Sequence, residues 1–111
     1  MSKKKTQELA SKATNLAGLI NYQEGSVVSR SIIDRKTGSI TLFAFDQNQG
    51  LSEHTAPYDA VVYILEGEIN VTISGKQVVL MEGEMTILPS NAPHALAAKT
   101  PVKMLLVMIK S

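Results

Sequence analysis

The chain reads as an all-β domain, an antiparallel sandwich or barrel fronted by one short helix. Three observations carry that reading. Short runs in which apolar and polar residues alternate recur over most of the 111 residues, turn signals built on glycine, asparagine and proline separate them, and a helical period shows only near the start. At this length one domain with a single core is expected.

Taken in order, residues 7–20 place Leu9, Ala13, Leu16, Ala17 and Ile20 at spacings near three and four, which predicts a short amphipathic helix. Its apolar face is narrow and Gly18 weakens its end. We expect residues 1–24 to form a tail and a helix packed on the outside, and residues 25–111 to form the β-body. Val27, Val28, Ile32 and Ile33, the turn Lys36-Thr37-Gly38 and the alternating run 39–45 predict a hairpin. Residues 46–50 are a loop by composition, and residues 50–59 read as a polar approach carrying His54 and turning at Pro57. Strands are expected at 60–65, 68–74, 76–80, 85–88 and 103–110, joined by turns at Glu66-Gly67-Glu68, Ser74-Gly75 and Glu82-Gly83-Glu84 and a loop at 89–93.

Two strands do not alternate. Residues 61–65 and 104–109 are apolar on both faces, so each face must meet something other than water. In a barrel this small only the inner face meets the core, and the outer face needs the helix or a second subunit. A homodimer is the expected partner.

Composition excludes several functions. With no cysteine there is no disulfide framework, thiolate nucleophile or cysteine-based zinc site. The 11 basic and 10 acidic residues include Lys3, Lys4 and Lys5, read as a solvated tail; without them 8 bases face 10 acids, and no nucleic-acid partner is expected. No apolar run approaches a membrane span, and a cytoplasmic location is the default expectation.

The chemistry-bearing residues are the only two histidines, His54 and His94. In a small β-domain such a pair is commonly no more than two hydrogen-bonded core or rim residues. Their setting argues for more. Ile-Leu-Glu-Gly-Glu follows a two-valine strand, Gly67 lies seven positions after Ala60, and Gly83-Glu-Met-Thr-Ile-Leu-Pro89 leads to His94. Over residues 40–109 this resembles the cupin superfamily in its smallest single-domain form. The resemblance implies a double-stranded β-helix, or jelly-roll barrel, commonly dimeric, with one ligand or metal pocket inside.

Matched to the family's motifs, His54 takes the first histidine and His94 the last, while Ala56 stands at the second histidine and Ala60 at the glutamate. Gly50 lies closer to His54 than the pattern has it, Asn91 replaces a glycine of the second motif, and Ala98 stands at its asparagine. Asparagine also tolerates the left-handed backbone, so the turn survives. Half the expected metal ligands are missing, and two imidazoles alone would hold a divalent transition metal (Zn, Ni, Fe or Mn) weakly. Glu53 has the wrong strand parity to replace them, and Asp59 is adjacent to the glutamate position rather than at it.

Exchanging a histidine and a glutamate for alanines makes the interior larger and more apolar, the common form of a small-molecule site. The expected walls are Ala56, Ala60, Val62, Ile64, Met85, Leu96 and Met104, with His54, Tyr58, Asp59 and His94 as polar contacts. The functional expectation is a small, partly apolar ligand. The alternative is a metal-dependent enzyme of oxygenase or isomerase type using His54 and His94. Metal-free epimerases of the superfamily use His, Asp and Tyr, types that His54, Asp59 and Tyr58 supply, but no basic residues for a nucleotide diphosphate line up with them. In every active-site reading the two imidazoles approach to roughly 3 to 5 Å between nearest nitrogens, since metal–nitrogen bonds are about 2 Å.

Overall fold

A computed structural model describes residues 8–110, which form nine strands paired antiparallel throughout. They are β1 (Val27–Arg35), β2 (Gly38–Phe45), β3 (Gly50–His54), β4 (Asp59–Glu66), β5 (Glu68–Ile73), β6 (Lys76–Met81), β7 (Met85–Leu88), β8 (His94–Ala98) and β9 (Val102–Ile109). One sheet has the order β1-β2-β9-β4-β7 and the other β3-β8-β5-β6, the two layers of a jelly roll. The central hairpin β5–β6 turns through Ser74 and Gly75, both at positive φ, as a two-residue connection between right-twisted strands requires.

The core lies between the layers. Ala60, Val62 and Ile64 of β4, and Val102 and Met104 of β9, point inward from the first sheet; Ile69 and Val71 of β5 and Leu96 and Ala98 of β8 meet them from the second. All are buried, and each set is spaced by two along its strand, the period that gives a strand one inward face.

The helix expected over residues 7–20 does not form as a continuous element. Gln7 lies outside the described residues, as do Lys3, Lys4 and Lys5; Glu8 and Leu9 are helical, and beyond them the segment makes only a single 3-10 turn at Leu16–Leu19. Ser11 sits at φ +63, outside helical geometry, and Asn15, itself extended, caps the 3-10 turn by accepting a hydrogen bond from the Gly18 amide, so that turn starts afresh instead of continuing from Leu9. The periodic apolar residues serve packing rather than coiling. Leu16, Leu19, Ile20 and Tyr22 lie on the outer face of the five-stranded sheet against Val28, Leu42, Ala44, Leu65 and Leu105.

Three polar contacts fasten this strap. Lys103 Nζ donates to the Ala17 carbonyl at 2.7 Å, Arg30 donates to the Leu19 carbonyl at 3.0 Å, and the Tyr22 hydroxyl donates to Glu66 Oε2 at 2.6 Å. The strap thus covers one end of the outer faces of β2 and β9, part of the second layer that the two-sided apolar character of β9 demands.

The rest of that outer face is bare. Register places Ile87, Val61, Val107, Ile40 and Ile33 in one row across all five strands, with no charge among them. Ile87, and near the row Met85 and Ile109, are about half exposed.

Burial first, then the hydrogen bond and the negative charge of Glu66, push the Tyr22 hydroxyl above the ordinary tyrosine range. The folded chain therefore keeps a proton that the unfolded chain loses near pH 10, so this group's contribution is complete below that pH and declines as pH rises through it. Tyr22→Phe is expected to cost about 1–2 kcal/mol at neutral pH and to flatten the fall in stability above about pH 10, measured by denaturant titration across pH. An unchanged midpoint would show that the strap adds nothing to stability.

Candidate functional site

The histidines are brought together by strand pairing. Residues 50–54, whose composition reads as loop, form β3, and residues 94–98 form β8; these strands pair with His54 directly opposite His94. Gly50 makes the approach possible, because a Cβ there would collide with the Leu96 carbonyl oxygen of β8. The register slips between Leu51 and His54, a local irregularity of the kind that re-aims side chains near sites.

Each ring is oriented by its own backbone. His54 Nδ1 lies 2.8 Å from the Ser52 carbonyl oxygen and His94 Nδ1 lies 3.1 Å from that of Ala92. A carbonyl can only accept, so both Nδ1 atoms carry hydrogen and donate, which turns the two Nε2 atoms toward each other. Those two atoms are 3.1 Å apart, with the rings edge to face at 71°. The expected approach of roughly 3 to 5 Å is met at its short end. His94 is 6% exposed, the one buried polar side chain among the described residues, whereas His54 is exposed at the rim.

Beneath the pair lies a cavity of about 120 Å³. Its lining includes His54, Ala56, Tyr58, Ala60, Val62, His94, Leu96 and Met104, so eight of the eleven residues expected there are brought together. Ala56 is positioned through its carbonyl, which accepts from the Asn91 amide at 2.7 Å; Asn91 is at φ +65, the left-handed turn its family position requires.

Three expectations are corrected. Asp59 points out of the barrel and accepts from the Ser90 amide at 2.8 Å, because its neighbour Ala60 takes the inward place on β4. Met85 is 47% exposed: it pairs with Tyr63 on the outer face, and parity hands the inward place on β7 to Leu88. Ile64 is fully buried but belongs to the packed core rather than to the cavity wall. Leu51, Leu88, Leu106 and Met108 complete the lining. For Leu106 and Met108 the signal was present, since they come after Met104 at steps of two; Leu51 depends on the β3–β8 pairing and had none.

The donor set decides how well a metal fits. Among the described residues no group of three or more His, Cys, Asp or Glu side chains converges. Ala56 and Ala60 occupy the cavity wall where the family's other two ligands would stand. The residues present do not fit a full four-ligand centre. They offer two neutral imidazole nitrogens and nothing that balances a dication's charge.

The Cupin domain family matches residues 41–109. No curated protein matches the chain. Among solved structures, a conserved protein of unknown function from Streptococcus pyogenes is 33% identical, with a TM-score of 0.87 over 91% of this chain and 89% of its own. A cupin superfamily protein from Desulfitobacterium hafniense is 28% identical, with a TM-score of 0.86 over 91% of this chain and 93% of its own. A cupin 2 conserved barrel domain protein from Leptotrichia buccalis is 39% identical, with a TM-score of 0.85 over 87% of this chain; the match spans 47% of that protein's chain. The barrel, the match of the family to more than half the residues and the identity with these relatives agree: this chain belongs to the cupin domain family.

Proposed function

We propose that this protein binds a small, partly apolar molecule inside the barrel, with its polar end at His54 and His94. The observation that supports the reading is the cavity of about 120 Å³, walled mostly by aliphatic side chains, two alanines among them, with His54, His94 and Tyr58 as its polar lining. An apolar cavity of about 150 Å³ holds benzene, so the occupant's buried part is of that order or slightly smaller. A panel of compounds of about five to seven heavy atoms, screened by thermal shift, is expected to contain ligands. At ten times Kd a ligand raises stability by about 1.4 kcal/mol, or roughly 5 °C. Ala60→Leu, which fills the cavity from its wall, is expected to erase the shift. Indifference of the unaltered protein to the whole panel would defeat the reading.

A second reading, a metal-dependent enzyme of oxygenase or isomerase type, is favoured by one observation. Two Nε2 atoms 3.1 Å apart have the separation of ligands sharing one ion when each bond is about 2 Å. His54 and His94 would hold such an ion, and it would supply Lewis-acid chemistry. Elemental analysis of untagged protein purified without chelator is expected to find less than about a tenth of an equivalent. Ala56→His with Ala60→Glu is expected to raise this toward one ion per chain. Stoichiometric metal in the unaltered protein would put the enzyme reading first.

We also propose that the bare outer face pairs with a second copy of the chain. A flat apolar row that crosses five strands without a charge is complementary to itself under a two-fold axis, and sheets pack face to face in this way. Light scattering is expected to give twice the chain mass, and Ile87→Glu, at a position 54% exposed in the single chain, is expected to return a folded monomer. A monomeric unaltered protein at about 100 μM would refute the pairing.

A further inference from the structure

The two layers bring different chemistry to the cavity. From β9 in the five-stranded sheet come Met104, Leu106 and Met108, at steps of two and therefore on one face; from β3 and β8 in the four-stranded sheet come the rings of His54 and His94. Met104 is 1% exposed, and Met108 lies directly across from Ala60, so its side chain adjoins the space that the alanine leaves. The two imidazoles stand at 71° with centroids 4.3 Å apart. A flat body stacked parallel to one of them is then at the same 71° to the other, which is the edge-to-face arrangement that π-systems favour. This geometry is the same whichever ring holds the proton between them.

We infer that the part of the ligand buried in this cavity is an aromatic ring, held between the thioethers of one layer and the imidazoles of the other. The inference rests on the small-molecule reading of the cavity and names the class of its buried body. A thioether sulfur favours a ring at about 5 Å, commonly at the ring edge, and each such contact is worth about two- to tenfold in affinity. Met104 and Met108 stand four residues apart, about 13 Å along the strand, so a ring seated over Leu106 has room for one sulfur at either edge. A saturated ring gains neither these contacts nor the edge-to-face one, although its larger apolar area makes burial alone rank it first. Leucine, of nearly the volume of methionine, walls off hydrocarbon just as well; the sulfurs distinguish themselves only against a π-system.

The test compares matched rings that differ only in unsaturation: benzene with cyclohexane, and toluene with methylcyclohexane. Affinities are read by ligand-observed NMR on the full chain, alongside the methyl signals of its five methionines. Benzene is expected to bind about tenfold tighter than cyclohexane and to move the Met104 and Met108 methyl signals by its ring current, which cyclohexane leaves in place. Met104→Leu with Met108→Leu conserves volume, so cyclohexane is expected to keep its affinity within about twofold while the preference for benzene falls to about threefold or less. Met108→Leu alone, at a partly buried position, is expected to lose about twofold of that preference. If the saturated rings bind as well as the aromatic ones, the cavity reading stands and the aromatic requirement is overturned. A preference for benzene that the double variant keeps in full, with neither methyl signal moving, overturns it too, since the thioethers then play no part. If no probe binds, the cavity reading itself fails and takes this inference with it.

Discussion

The alternation of side chains along a strand governs the wall of this site. Because neighbours on β4 face opposite ways, Ala60 and Val62 look into the barrel while Asp59, Val61 and Tyr63 look out, and one step of register would exchange the two sets. A slip of register between Leu51 and His54 sets His54 across from His94 on β3 and β8, while alternation seats Leu88 rather than Met85 over the cavity. A carboxylate one residue from a ligand position is therefore as far from the site, chemically, as a residue on another face. Proximity in sequence gave Asp59 the look of a substitute ligand, and pleating removes it.

The barrel's outer face obeys a complementary constraint. Central strands β9 and β4 are apolar on both sides, and burying the second side requires a layer that the nine strands do not supply. The strap around Leu16–Leu19 supplies part of it, held by bonds from Lys103, Arg30 and Tyr22 whose acceptors are two strap carbonyls and Glu66. Such a strap has no need of helical structure. Two of its carbonyls, those of Ala17 and Leu19, accept from side chains reaching from the sheet instead of from a helical ladder.

How much of this was legible beforehand divides along the same physical line. Strands β1, β2, β4, β5, β6, β7 and β9 announce themselves by runs of branched residues between turn signals, and the two cupin-like stretches locate both histidines. Strands β3 and β8 escaped, because they are short and their polar or alanine-rich sequences look like loops until each has the other to pair with. The inward set on β9 was readable by counting in twos, whereas the exposure of Met85 turns on how β7 sits against Tyr63, a long-range pairing. The facing Nε2 atoms were beyond the sequence altogether: their meeting depends on carbonyls two residues back from each histidine holding Nδ1.

The two imidazoles are carried by strands of unequal standing. β8 is flanked on both sides by β3 and β5, but β3 is the margin of its sheet and is joined to one neighbour only. Detaching β3 releases a few ladder bonds and exposes little of the central packing, so the free energy of that excursion is local rather than that of the whole fold. The barrel is therefore held by one ladder at His54 and by two at His94, so local opening costs less on the His54 side.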